Sequence, residues 1–315
     1  MAKWHLGGFG LGCLAVLAML SLHGPAAAST DEDWGQCAGK DLDAAIAACS
    51  QIMQRRPVEA WKLGNAHNQR GLAHAGKGDY DRAIDDYSRA IYLNAGNAWP
   101  YNNRGLAHAH KGAYDQAIAD YTKAIELEPE SAWPYHNRGL ALAKTGDHDS
   151  AIADYTKSIE FDADNAWAYN HRGQAYAAKR EYDRAIADFT KAIEQDPGYT
   201  WSHTNRGVAH ATKRDYARAI ADFTKAIETD NTNAWAYNNR AWAHLNAGKV
   251  SRGLPDAERA LQLMPGNASF LDARGHILEV LGRKAQAIAS FRQALAADRN
   301  LQSSKDGLRR LTAGR

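Results

Sequence analysis

Thirteen histidines, three cysteines and 36 Asp and Glu residues give this 315-residue chain many groups able to bind metal or move protons. Their spacing argues against both. His74, His108, His210 and His244 fall on one 34-residue beat. Equivalent positions on stacked helices lie roughly 10 Å apart, too far to share one metal ion, so each reads as a half-buried flat ring. No Ser or Cys stands with a local base, no acid pair forms a motif, and no Gly-rich phosphate loop occurs. No catalytic residue, cofactor or metal is therefore expected. Cys37 and Cys49 have no nearby His and are spaced too widely for a redox C-x-x-C pair, and they are expected to form one structural disulfide.

The same beat carries charge. Arg70, Arg104, Arg138, Arg172, Arg206, Arg240 and Arg274 recur every 34 residues. Asp86, Asp120, Asp154, Asp188, Asp222 and Asp256 follow the first six in step, and Ser290 follows the seventh. A half-buried guanidinium needs a carboxylate, so the matched rows predict a ladder of ion pairs between neighbouring helices. The spacing leaves open whether each Asp belongs to the same unit as its Arg. A row of Arg receiving an acidic peptide is the alternative, weakened because the Asp row cancels the charge.

Two uncharged rows run beside it. Asn103, Asn137, Asn205 and Asn239 precede Arg in four copies. An amide both donates and accepts, so such a row is suited to gripping an extended peptide backbone, unless Asn is merely common there. Trp99, Trp133, Trp167, Trp201 and Trp235 form a row of indoles. These offer large, rigid contact area to a partner, or else pack against the preceding unit.

A period this regular means an array of one small unit rather than a domain with one core. With the residue after each Arg as position 8, units begin at Gly64, Ala98, Ala132, Ala166, Thr200, Ala234 and Ala268. Large residues at positions 4 and 11, with small ones at 8 and 10, form one helical stripe; Ala117, Ile118, Tyr121, Ala124 and Ile125 illustrate a second. Gly78, Gly112, Gly146, Gly248 and Gly282 part the two stripes, with Arg180 and Arg214 replacing Gly elsewhere. Asn97, Ser131, Asn165, Asn233 and Asn267 stand where an N-cap is needed, and Pro100 and Pro134 fit a first turn. Each unit therefore reads as helix, turn, helix. Pro255 predicts a shortened or bent second helix in the sixth unit.

The pattern resembles the tetratricopeptide repeat family over residues 64–301: Tyr101, Gly105, Ala117, Tyr121 and Ala124 stand in the family's order, with Pro129, Pro197 and Pro265 at its closing position. The resemblance implies an all-α, right-handed α-solenoid of seven units that turns position 2, the Trp row, toward its concave face. Residues 29–63 read as an N-terminal cap with a half-repeat and the disulfide, and residues 302–315 as a basic C-terminal capping segment.

Residues 1–28 have the layout of a cleavable secretory signal peptide: Lys3, an apolar run from Phe9 to Leu22, and Ala26-Ala27-Ala28. The run is shorter than the roughly 20 apolar residues of a membrane span, so no stable membrane insertion is expected after cleavage. A net charge of only +2 disfavours nucleic acid as a partner. The expectation is a secreted or periplasmic scaffold binding a protein or an extended peptide. A carbohydrate or cell-wall binder using the Trp row, or a structural assembly subunit, are the alternatives.

Overall fold

The computed structural model describes residues 28–54 and 59–313, which are helical apart from short connections. The leader expected over residues 1–28 lies, but for Ala28, outside the described residues. Among these no helix is long and apolar enough to cross a membrane. The chain divides into two compact units that part between Ala163 and Asp164.

The first unit contains α1 (Ala28–Cys37), α2 (Leu42–Gln54), α3 (Ala60–Gly76), α4 (Tyr80–Leu93), α5 (Ala98–His110), α6 (Tyr114–Leu127), α7 (Ala132–Thr145) and α8 (His148–Phe161). The second contains α9 (Ala166–Ala178), α10 (Tyr182–Gln195), α11 (Thr200–Thr212), α12 (Tyr216–Thr229), α13 (Ala234–Asn246), α14 (Val250–Leu263), α15 (Ala268–Val280), α16 (Lys284–Ala297) and α17 (Gln302–Thr312). Within each unit every helix packs on the next in sequence, so each is a run of α-solenoid made of helix pairs. Helix α3 starts at Ala60, ahead of the repeat's own first residue Gly64. Cys37 and Cys49 are bridged, tying α1 to α2.

The pairing within a repeat depends on one close approach. A Cβ on Gly105 would stand 2.7 Å from the ring of Tyr121, which is buried between Ala117 and Ala124. Gly is required there because the first helix lies directly on that ring. The sixth repeat departs from this in a concerted way. Position 24 is Ala257, so no ring fills the seam, and position 8 is Ala241 instead of Gly. The small residue has moved across to Gly253 on α14, where a Cβ would meet the Ala241 carbonyl at 2.9 Å. Pro255 does not shorten the helix as the sequence suggested: α14 has 14 residues, the length of α12 and α16.

The turns show how strictly the period is held. In the second repeat the Gly112 amide donates to Ala109 and the Ala113 amide to His108, closing α5 with the bonds of a left-handed turn. Arg180 and Arg214 are forced into the same left-handed region, at φ 64° and 66°. Asn97, Asn165, Asn233 and Asn267 accept backbone N–H bonds at the starts of α5, α9, α13 and α15, whereas the Ser131 side chain caps nothing.

Candidate functional site

Five half-buried Arg of the row, Arg70, Arg104, Arg138, Arg206 and Arg240, each join three helices, whereas Arg274 bonds, among the described residues, only Ser290 and Gln293 of its own repeat. Arg138 of α7 donates from Nε and Nη2 to both oxygens of Asp154 on α8, each at 2.8 Å. Its Nη1 donates to Thr122 of α6 at 3.0 Å. Thr122 has already given its own proton to the Ile118 carbonyl, which leaves oxygen lone pairs facing the guanidinium. Arg104 repeats the arrangement with Asp120 and Ser88, Arg206 with Asp222 and Thr190, and Arg240 with Asp256 and Thr224. Arg172 grips Asp188 the same way. Each Asp thus comes from the Arg's own repeat, and for Arg104, Arg138, Arg206 and Arg240 the hydroxyl comes from the one before. The cap joins the scheme, because Arg70 reaches Ser50 on α2.

These contacts set the electrostatics. The Asp120 and Asp154 hydrogen bonds raise the already high affinities of Arg104 and Arg138 for their protons. The Tyr101, Tyr135, Tyr169 and Tyr237 rings sit 5.7–5.8 Å from the guanidinium of their own repeat. In the first repeat His67 replaces the Tyr and contacts Asp86 at 2.8 Å. Burial opposes charge on Asp86, but the His67 and Arg70 hydrogen bonds outweigh it and hold the carboxyl below its usual range. Burial lowers His74, His108, His210 and His244, partly offset by the Asp of the same repeat.

The Asn row is also internal. Asn103 Nδ2 donates to Asn68 Oδ1 at 3.1 Å, Asn137 to Asn102 at 3.0 Å and Asn205 to Asn170 at 3.0 Å. Each bond links neighbouring first helices. Asn103 and Asn137 are under a tenth exposed, and Asn205 and Asn239 are fully buried. The small residues around them let the helices close over the amides, so the row does not lie open on the surface.

The Trp row behaves differently. Trp99 is 42% exposed in the first turn of α5, while Trp133, Trp167, Trp201 and Trp235 are half-buried at the same place in α7, α9, α11 and α13. Trp99, Trp133 and Glu128 line a shallow notch open to solvent. The repeat pattern marked the Trp row but not Glu128, whose position carries a shorter acid or amide in most other repeats.

At the C-terminal cap, Ser303 and Ser304 of α17 donate to Asp272 at 2.9 and 2.5 Å. His276 Nε2 lies 2.7 Å from Ser303 Oγ. Since Ser303 gives its proton to Asp272, His276 must donate to Ser303, the reverse of the polarity that activates a nucleophile. The cluster docks α17, with Arg310 held by both Glu279 oxygens.

Models described as tetratricopeptide repeat match residues 64–97, 166–199, 202–233, 223–254 and 268–301, and one described as TPR repeat matches 108–146 and 141–180. No curated protein matches the chain. A tetratricopeptide repeat protein from Parabacteroides merdae ATCC 43184 superposes with a TM-score of 0.62 at 21% identity, covering 80% of this chain and 100% of its own. The Cut9–Hcn1 hetero-tetramer of the APC/C gives 0.65 at 15% identity over 90% of this chain and 54% of its own. PilF of Pseudomonas aeruginosa gives 0.58 at 20% identity over 72% and 97%. YrrB, titled a TPR protein with an unusual peptide-binding site, gives 0.50 at 22% identity over 65% and 99%. With family models matching most of its length and helix pairs stacked in register, the chain belongs to the tetratricopeptide repeat family, whose fold serves as a protein-interaction scaffold.

Proposed function

We propose that the protein is an extracytoplasmic scaffold that binds an extended segment of a partner protein along the Trp-bearing ends of its first helices. The observation that carries this reading is the division of labour among the repeated rows. The Arg–Asp and Asn rows are consumed by contacts inside the stack. The Trp row keeps indole surface accessible, most of all at Trp99. A large aromatic left exposed at a repeated position is the feature most suited to anchoring a partner. In this reading Asn103, Asn137, Asn205 and Asn239 act from behind, fixing the spacing of the first helices within each unit. That YrrB is described as having an unusual peptide-binding site supports the reading by analogy. The Cys37–Cys49 bridge supports an oxidising compartment, in agreement with the leader-like first 28 residues.

The test is photo-crosslinked capture in the protein's own compartment, comparing the native chain with a Trp99→Ala/Trp133→Ala variant. Loss of a captured protein at unchanged melting temperature supports the reading. An identical set of captured proteins, or saturable binding of an oligosaccharide in place of protein, overturns it.

A further inference from the structure

The notch between α5 and α7 differs chemically from the equivalent places in four of the other repeats. At position 31 of those four the side chain turns back on its own loop: Asn94 accepts the Gly96 amide at 3.2 Å, and Asp196, Asp230 and Asp298 accept the amides of Gly198, Thr232 and Asn300 at 2.9 Å, whereas Asp162 and Met264 make no such bond. The acceptor oxygen is thereby spent on a tight local turn. Position 31 of the second repeat is Glu128, whose extra methylene does not suit that turn. Its side chain is exposed and makes no hydrogen bond or ion pair. It lines the notch with Trp99, the most exposed indole of the row, and with Trp133 and Pro134.

An indole face carries a negative quadrupole and attracts a cation, and an adjacent carboxylate adds a full negative charge. The start of α7 contributes about half a positive charge nearby, which the full charge of Glu128 exceeds. Pro134 further reduces the number of free amides there. The notch is shallow and open to solvent, so it can meet the head of one side chain but does not enclose a whole ligand.

We infer that this notch holds the cationic head of a lysine or arginine side chain in the partner's extended segment. The inference rests on the reading that the Trp face is the docking face. It adds a charge requirement to that face: the partner presents a basic residue where it crosses α5 and α7. The aliphatic stem lies along the Trp99 ring while the charged end meets Glu128.

The experiment follows the indole N–H signals of Trp99 and Trp133 by NMR, assigned with Trp99→Phe and Trp133→Phe. The probes are a capped Gly-Gly-Lys-Gly-Gly peptide, its norleucine counterpart and tetramethylammonium, at constant ionic strength. The lysine peptide is expected to shift Trp99 saturably, with norleucine weaker by about fivefold and Glu128→Gln weakening the lysine titration by about the same factor. Equal effects of norleucine and lysine, no saturable shift, or no effect of Glu128→Gln overturn the inference. Tighter binding of tetramethylammonium than of the lysine peptide also overturns it, by assigning the notch to a small free cation. The capture experiment separates the two levels. A partner lost in Trp99→Ala/Trp133→Ala but retained in Glu128→Gln leaves the docking face standing and removes the cation site, whereas a partner retained in both removes the face itself.

Discussion

Arg138 and Asp154 face each other through two parallel N–H···O bonds, 16 residues apart in sequence and on the two helices of one repeat. The third guanidinium arm crosses to Thr122 in the preceding repeat. One side chain thus fixes both the pairing within a repeat and the stacking between two. Replacing Arg138 with Leu leaves the Asp154 carboxylate buried without its cation, and is expected to cost about 3 kcal/mol. Arg138→Leu/Asp154→Leu should recover much of that loss, since removing both charges leaves nothing to desolvate. Urea unfolding of the two variants measures the difference; equal losses would show that the pair is not the unit of stability.

The contact between Gly105 and Tyr121 makes a contrasting prediction. Gly105→Ala places a methyl within 2.7 Å of the ring and is expected to destabilise by about 1–3 kcal/mol, although Ala is the better helix former. In the sixth repeat the reverse change, Ala241→Gly, meets no ring, because Ala257 stands where the aromatic would be. Its expected cost is only the roughly 1 kcal/mol of helix propensity. Similar melting shifts for Gly105→Ala in the second repeat and for Gly at 241 would argue against a ring-dependent seam.

At the turns after α9 and α11 the chain keeps the left-handed geometry of the other repeats without their Gly. Arg180 and Arg214 carry a Cβ into that region at a cost of about 1 kcal/mol each. Arg180→Gly/Arg214→Gly is expected to raise stability, by somewhat less than the sum because Gly loosens the unfolded chain. Thermal unfolding checks the sign: a lower melting temperature means that the two Arg side chains make compensating contacts.

The period, the helix pairs, the turn positions and the Arg–Asp match were legible in the sequence because each recurs at a fixed offset within one 34-residue copy. What escaped lies between copies or in exceptions to them. The Ser or Thr that takes the third Arg arm belongs to the preceding repeat and looks unremarkable on a helix surface. The Asn row looked like a binding surface because its acceptor, position 5 of the previous repeat, is itself a variable polar residue. Pro255 pointed to a shortened or bent helix, yet α14 keeps its length and Ala241, Gly253 and Ala257 change together around it to form a different seam. Glu128 was hidden by its similarity to the Asp residues at the same position, from which it differs by one methylene and by where its oxygens go.

The position-11 histidines predict how the array responds to acid. Burial lowers His74, His108, His210 and His244 below the ordinary value of 6.5, with Asp86, Asp120, Asp222 and Asp256 opposing only in part. Above about pH 6.5 these rings are neutral in both the folded and the unfolded chain, so they contribute no pH dependence. As pH falls below 6.5 the unfolded chain takes up protons that the folded chain does not, and stability drops. Asp86 and Asp222, held below 3.8 by hydrogen bonds that outweigh burial, lose their contribution only at pH below that value, so the two windows are separate. The melting temperature is therefore expected to be flat from pH 8 to about 6.5 and to fall toward pH 5. Leu already occupies position 11 at Leu142 and Leu278, so His74→Leu/His108→Leu/His210→Leu/His244→Leu fits the stack. That variant should flatten the fall, with His110 and His276, which burial also lowers, still contributing. An unchanged slope between pH 6.5 and 5 would show that these rings do not control the acid response.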